Sequence, residues 1–160
     1  MTGSVRLAMA ASLALMTACA GTSPPKKADR PAEKSAAAPA KTSDALYRAL
    51  GGETGIARVV DVSLAEIHND LRINLLFEKT DLADLRRLLI EQICAATGGP
   101  CTYTGRDMEE AHSGLNLTDA DFDAFVDDLV RAMNSVNVPP DLQKQLLDLL
   151  GPMRPQVVGQ

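Results

Sequence analysis

From residue 44 onward, apolar side chains recur at helical intervals. Ile56, Val59, Val60, Leu64 and Ile67 stand at i, i+3, i+4, i+8 and i+11, which places them on one stripe of a helix. Leu82, Leu85, Leu89, Ile93 and Ala96 make a second stripe, and Phe122, Phe125, Val126, Leu129, Val130 and Met133 a third. A fourth helix is predicted from Asp141, after Pro139-Pro140, through Leu142, Leu146, Leu149 and Leu150. Boundary signals agree with the stripes. Thr118-Asp119-Ala120-Asp121 reads as a capping-box-like start. Gly98-Gly99-Pro100 ends the second helix, because Gly accepts left-handed dihedrals and Pro cannot continue the hydrogen-bond ladder. Gly51-Gly52 separates a short leading helix, Asp44–Leu50, from the first long one, and Met108–His112 reads as a further helical turn. No segment alternates apolar and polar residues over a strand's length, so the fold class is all-α.

Upstream of residue 44 the pattern changes. Met1–Arg6 carries one positive charge, and Leu7–Met16 is an apolar run too short to span a bilayer. Small residues then lead to Cys19 in Leu15-Met16-Thr17-Ala18-Cys19. This organisation predicts a signal peptide over 1–18. The segment resembles a bacterial lipobox with Met16 in place of the usual Leu, Val or Ile, which implies a diacylated Cys19. Ordinary cleavage before a free Cys, or an uncut signal, are the alternatives. Residues 19–43 then form a Pro-, Ala- and Lys-rich disordered linker that buries too little surface to offset its conformational entropy. Ala20 after the Cys points, by analogy with bacterial lipoproteins, to an exported protein on the periplasmic side of the outer membrane.

Composition narrows the partners. Aromatic residues make up 3% of the chain and Trp is absent, while hydrophobic residues reach 46%, a balance that favours packed helices over a strand-rich sandwich. The formal charge of −5 offers no footprint for nucleic acid and no attraction to an anionic membrane surface. Membrane contact is therefore expected through the lipid anchor alone.

Two histidines are candidates for metal chemistry, His68 and His112. His68 sits in the polar run Ile67-His68-Asn69-Asp70 at a helix end and reads as a surface residue. His112, taken by itself, is equally ordinary. Its surroundings are not: Leu46-Tyr47, Leu50-Gly51-Gly52, Phe77, Gly98-Gly99-Pro100, Tyr103-Thr104-Gly105 and Met108 through His112 follow in one order. In order and spacing they resemble the group I truncated haemoglobins, and the resemblance covers residues 44–160. It implies a truncated-globin domain there, a two-over-two helical sandwich holding one haem b per chain, with His112 as the iron's proximal ligand. It implies further that Phe77 packs on the haem face and that Tyr103, Met108 and Phe122 line the pocket.

The opposite, distal side departs from the family. Leu64 stands where Tyr is usual, Ser63 where Phe is usual, and Leu85 and Leu89 occupy the facing positions, the second often Gln. Gln92 takes a position often held by Phe. The implied pocket is dry and apolar, lined by Leu64, Leu85 and Leu89 with Ile93 at its margin. The implied function is binding of diatomic gases (NO, O2, CO), with O2 disfavoured because no side chain donates a hydrogen bond to it. Gln92 swinging inward would supply a substitute donor. Arg86 and Arg87 are either partners for haem propionates or solvated charges. A haem enzyme turning over NO, nitrite or peroxide, and a haem-free helical lipoprotein used for protein contacts, are the competing readings.

Cys94 and Cys101 form an even pair flanking the Gly-Gly-Pro turn, which would bring their Cα atoms into disulfide range. They are either a disulfide or two buried thiols. Their spacing fits no C-x-x-C redox or zinc motif.

Overall fold

The computed structural model describes residues 43–160, so the signal segment, Cys19 and the linker through residue 42 lie outside the described residues. Six α-helices follow in order: α1 (Ala45–Ala49), α2 (Gly52–Asn69), α3 (Leu82–Ala96), α4 (Met108–His112), α5 (Asp119–Ser135) and α6 (Pro140–Leu150). Two 3-10 helices, Asn74–Phe77 and Gly151–Gln156, were not expected from the periodicity, and no strand occurs among the described residues.

Local chemistry explains the boundaries. The Asp81 carboxylate accepts from the Ala83 and Asp84 N–H groups at 2.9 and 3.1 Å, which starts α3. Thr118 and Asp121 cap α5 reciprocally: Thr118 Oγ1 accepts from the Asp121 N–H and Asp121 Oδ2 from the Thr118 N–H. At the end of α3, Gly98 adopts φ 84°, the Gly99 N–H donates to Cys94 O at 2.8 Å and the Gly98 N–H to Ala95 O at 3.2 Å. That is a Schellman ending, and it needs a residue without a Cβ at Gly98.

α2 packs against both α3 and α5. The principal core joins Ile56, Val59 and Val60 of α2, Ile90, Ile93 and Cys94 of α3, Leu129 and Met133 of α5 and Leu146 of α6. A second cluster gathers Ile67, Ile73 and Ala124, with Leu64, Phe77 and Phe125 packed against it. Ile93, expected at the pocket margin, is 4% exposed and belongs to the principal core.

In three helices the buried face is rotated slightly from the apolar stripe. α2 buries Ser63 while Leu64 is half-buried; α3 buries Ile90, Ile93 and Cys94 while Leu85 and Leu89 are half-buried; α5 buries Ala124 and Asp128 while Phe122 and Phe125 are half-buried. Ser63 tolerates its position because its hydroxyl donates to Val59 O at 2.9 Å. Asp128, fully buried, pairs with Arg131, whose guanidinium also reaches Glu66 and Asp70 on the α2 side. Leu64 and Leu89 pack against the core as half-buried residues, and Leu85 and Phe122 are half-buried without joining either cluster.

Candidate functional site

α4 is a five-residue helix, started by the Asp107 carboxylate, which accepts from the Glu110 N–H at 2.7 Å, and ended by His112. His112 is half-buried, and its Nδ1 lies 2.7 Å from Met108 O, one turn earlier. A carbonyl can only accept, so Nδ1 carries a proton, and in the neutral imidazole Nε2 is the nitrogen with the free lone pair.

A dense set of contacts fixes the segment that carries this imidazole. Cys94 and Cys101 are joined as a disulfide with Cα atoms 5.8 Å apart, tying the loop to α3. The Thr104 hydroxyl and N–H donate to Glu91 Oε2 at 2.7 and 3.0 Å, holding the Glu91 carboxyl below the usual carboxylate range with help from Arg87. Arg87 donates to Thr104 Oγ1 and to Glu91, both at 2.7 Å. The Tyr103 hydroxyl donates to Arg106 O at 2.8 Å, and burial pushes its phenol up, so the donor stays protonated. A Cβ at Gly105 would collide with the Tyr103 ring. Beyond His112, the Asn116 N–H donates to Gln160 O and the Gly159 N–H to Leu117 O, both at 2.9 Å.

The predicted pocket residues come from six different segments. Leu64 and Phe77 share the second cluster, while Leu64 and Leu89 also border the principal core. Leu85, Tyr103, Met108 and Phe122 are likewise half-buried. The Arg154 guanidinium stacks over the Phe122 ring at 4.4 Å and pairs with Asp119 and Asp123. Three sequence expectations receive a definite structural answer. Gln92 does not swing inward as a donor; its Nε2 donates to the sulfurs of Met108 at 3.3 Å and Met153 at 3.4 Å. Arg86 pairs with Asp61 and Arg87 with Asp84 and Glu91, so both serve intramolecular ion pairs. His68 is exposed at the end of α2. Met153 escaped the sequence reading because it lies on no helical stripe, and Thr104 was read only as part of the Tyr103-Thr104-Gly105 motif. A surface depression of about 150 Å³ beside Leu50, Gly55 and Val138 shares no residue with this set.

A family model described as bacterial-like globin matches residues 45–158. The chain belongs to that family. Its similarity to group 1 truncated hemoglobins makes it a group I truncated globin. It is 33% identical over 114 residues to a group 1 truncated hemoglobin of Nostoc, covering 71% of this chain and 97% of the relative. A group 1 truncated hemoglobin of Synechocystis is 34% identical over 110 residues, covering 66% and 89%. Among solved structures, truncated hemoglobin of Tetrahymena pyriformis in its Fe(III) form superposes with TM-score 0.70 at 26% identity, covering 72% of this chain and 98% of the other. The 2/2 hemoglobin of Synechococcus, in the cyanomet state with covalently attached heme, gives TM-score 0.67 at 30% identity, with the same coverage.

The donor set of this truncated globin fits a porphyrin-bound iron. Among the described residues no three His, Cys, Asp or Glu side chains gather to hold a bare metal ion. A single imidazole with an oriented Nε2 is sufficient where a macrocycle supplies the other ligands. Leu64, Phe77, Leu85, Leu89, Tyr103, Met108 and Phe122 are half-buried, and their chemistry suits an apolar porphyrin.

Proposed function

We propose that this truncated globin, a haem-binding protein by family, holds haem b through His112 Nε2 and binds diatomic gases, NO and CO more firmly than O2. The observation that carries the reading is the 2.7 Å contact between His112 Nδ1 and Met108 O, which aims Nε2 and raises its basicity as a ligand. Haem held by His112 would supply an iron able to bind a diatomic gas. Phe77, Tyr103, Met108 and Phe122 would hold the porphyrin and exclude water from it. Leu64, Leu85 and Leu89 form the opposing wall and offer no donor. A hydrogen bond to a charge-bearing ligand contributes roughly 1.5–3 kcal/mol, so lacking about 2 kcal/mol speeds O2 escape roughly thirty-fold. NO and CO depend less on such a donor. The same wall carries no group able to move a proton, which favours binding over peroxide or nitrite turnover.

We read the chain as exported and tethered by acylated Cys19 to the periplasmic face of an outer membrane. The short apolar run before that cysteine supports this. Among the described residues no helix is long and apolar enough to cross a membrane.

The test is reconstitution with haemin. The wild-type chain should give a Soret band and a pyridine adduct spectrum of haem b, and His112→Ala should lose the five-coordinate ferrous spectrum. An unaltered spectrum in His112→Ala would refute the assignment.

A further inference from the structure

We propose that Gln92 and Met153 form a latch through which the C-terminal 3-10 helix sets the position of His112; this rests on the haem-ligating role given to His112 above. Gln92 stands on α3, and its amide nitrogen donates at once to Met108 Sδ, 3.3 Å away, and Met153 Sδ, 3.4 Å away. A glutamine amide has two N–H hydrogens, one for each thioether. The amide is partly buried, so each sulfur satisfies a hydrogen that would otherwise be stranded away from water. Met108 is also the residue whose carbonyl accepts from His112 Nδ1. Its side chain and its backbone therefore connect the latch to the imidazole within one residue.

The length of α4 makes such a latch effective. Five residues form little more than one turn, which has no stability of its own and takes its position from whatever holds it. Gly151–Gln156 packs against α4, and the chain just beyond it pairs with Asn116 and Leu117 on the far side of His112. The C-terminal segment thus grips both flanks of the proximal turn: through Met153 and Gln92 before it, and through Gly159 and Gln160 after it. An aromatic ring at position 92 would fill space but could not hold two sulfurs. Gln92 and Met153 are positioning residues, and they act on the iron only through Met108 and His112.

The experiment uses the full-length, haem-loaded ferrous protein as wild type, Gln92→Leu, Met153→Leu and the double variant. Leucine conserves the volume of methionine while removing the acceptor, and circular dichroism checks folding of each variant. Resonance Raman reads the iron–histidine stretching band, and transfer to excess apomyoglobin reads haem loss. Each single variant should shift the band and speed haem loss about five-fold, equivalent to about 1 kcal/mol, and the double variant should add nothing further. A band unmoved in whichever single variants fold, or additive effects in the double variant, overturns the latch and leaves His112 as ligand untouched. A wild-type ferrous protein without an iron–histidine band overturns both.

Discussion

Ser63 and Leu64 divide the work of one helix edge. Ser63 is buried at 3% exposure with its hydroxyl tied to Val59 O, while Leu64 is half-buried between the two apolar clusters. Apolar periodicity places Leu64 in the core and does not anticipate Ser63 there, because a hydroxyl satisfied by its own helix carries no signal in a hydrophobic pattern. Asp128 was hidden for a related reason: its burial depends on Arg131, three residues on, and on the α2 carboxylates sharing that guanidinium. His112, by contrast, was singled out through ordered neighbouring motifs, and the contact of its Nδ1 with Met108 O came only from the fold. Leu64→Tyr should restore a donor on the gas side. Stopped-flow measurement should show O2 dissociation slowing roughly thirty-fold, with CO dissociation far less changed. Equal slowing of both gases would mean the hydroxyl acts by packing instead.

Helices of two or more turns were readable from their spacing, and Thr118 and the Gly-Gly-Pro turn marked their ends. The 3-10 helices were not, since four or six residues give no repeat to detect and their ladders run i to i+3. The loop from Thr97 to Asp107 shows how non-local chemistry replaces periodicity. Glu91 and Arg87 of α3 clasp Thr104, and the disulfide closes seven residues of sequence separation beside them. On the chain-entropy account such a closure stabilises by about 2.5 kcal/mol. Reduction, or a Cys94→Ser/Cys101→Ser double variant, should lower the unfolding free energy by about that amount in urea titrations. It should also hasten haem loss, because the tethered loop leads directly into α4. Unchanged urea midpoints would place the loop's order in Glu91 and Thr104 alone.

Across the whole domain, acidic side chains are held in charge-assisted contacts that tie segments together. Hydrogen bonds from Arg86 lower Asp61, those from Arg72 lower Asp70, those from Thr104 lower Glu91, and those from Thr118 lower Asp121. A carboxyl whose folded value is depressed adds stability that is complete above its unfolded value, about 3.9 for Asp and 4.3 for Glu. That stability is lost as pH falls through the folded value. Thermal midpoints should therefore be flat from neutral pH to about 5 and fall steeply below about 4. Glu91→Gln should flatten part of that fall; an acid profile identical to wild type would remove Glu91 from the account. The two-over-two arrangement was legible at this scale from the resemblance and the four stripes. The slight rotation of each buried face, which leaves Leu64, Leu85, Leu89 and Phe122 half-buried, emerges only when the helices pack. Ligation of haem iron by His112 remains the proposal, and the most direct measurement is the absorption spectrum of the reduced, haem-loaded chain before and after CO. Wild type should pass from a five-coordinate to a six-coordinate low-spin spectrum, and His112→Gly should do so only when imidazole is added. A CO complex in His112→Gly without imidazole that matches wild type would contradict the account.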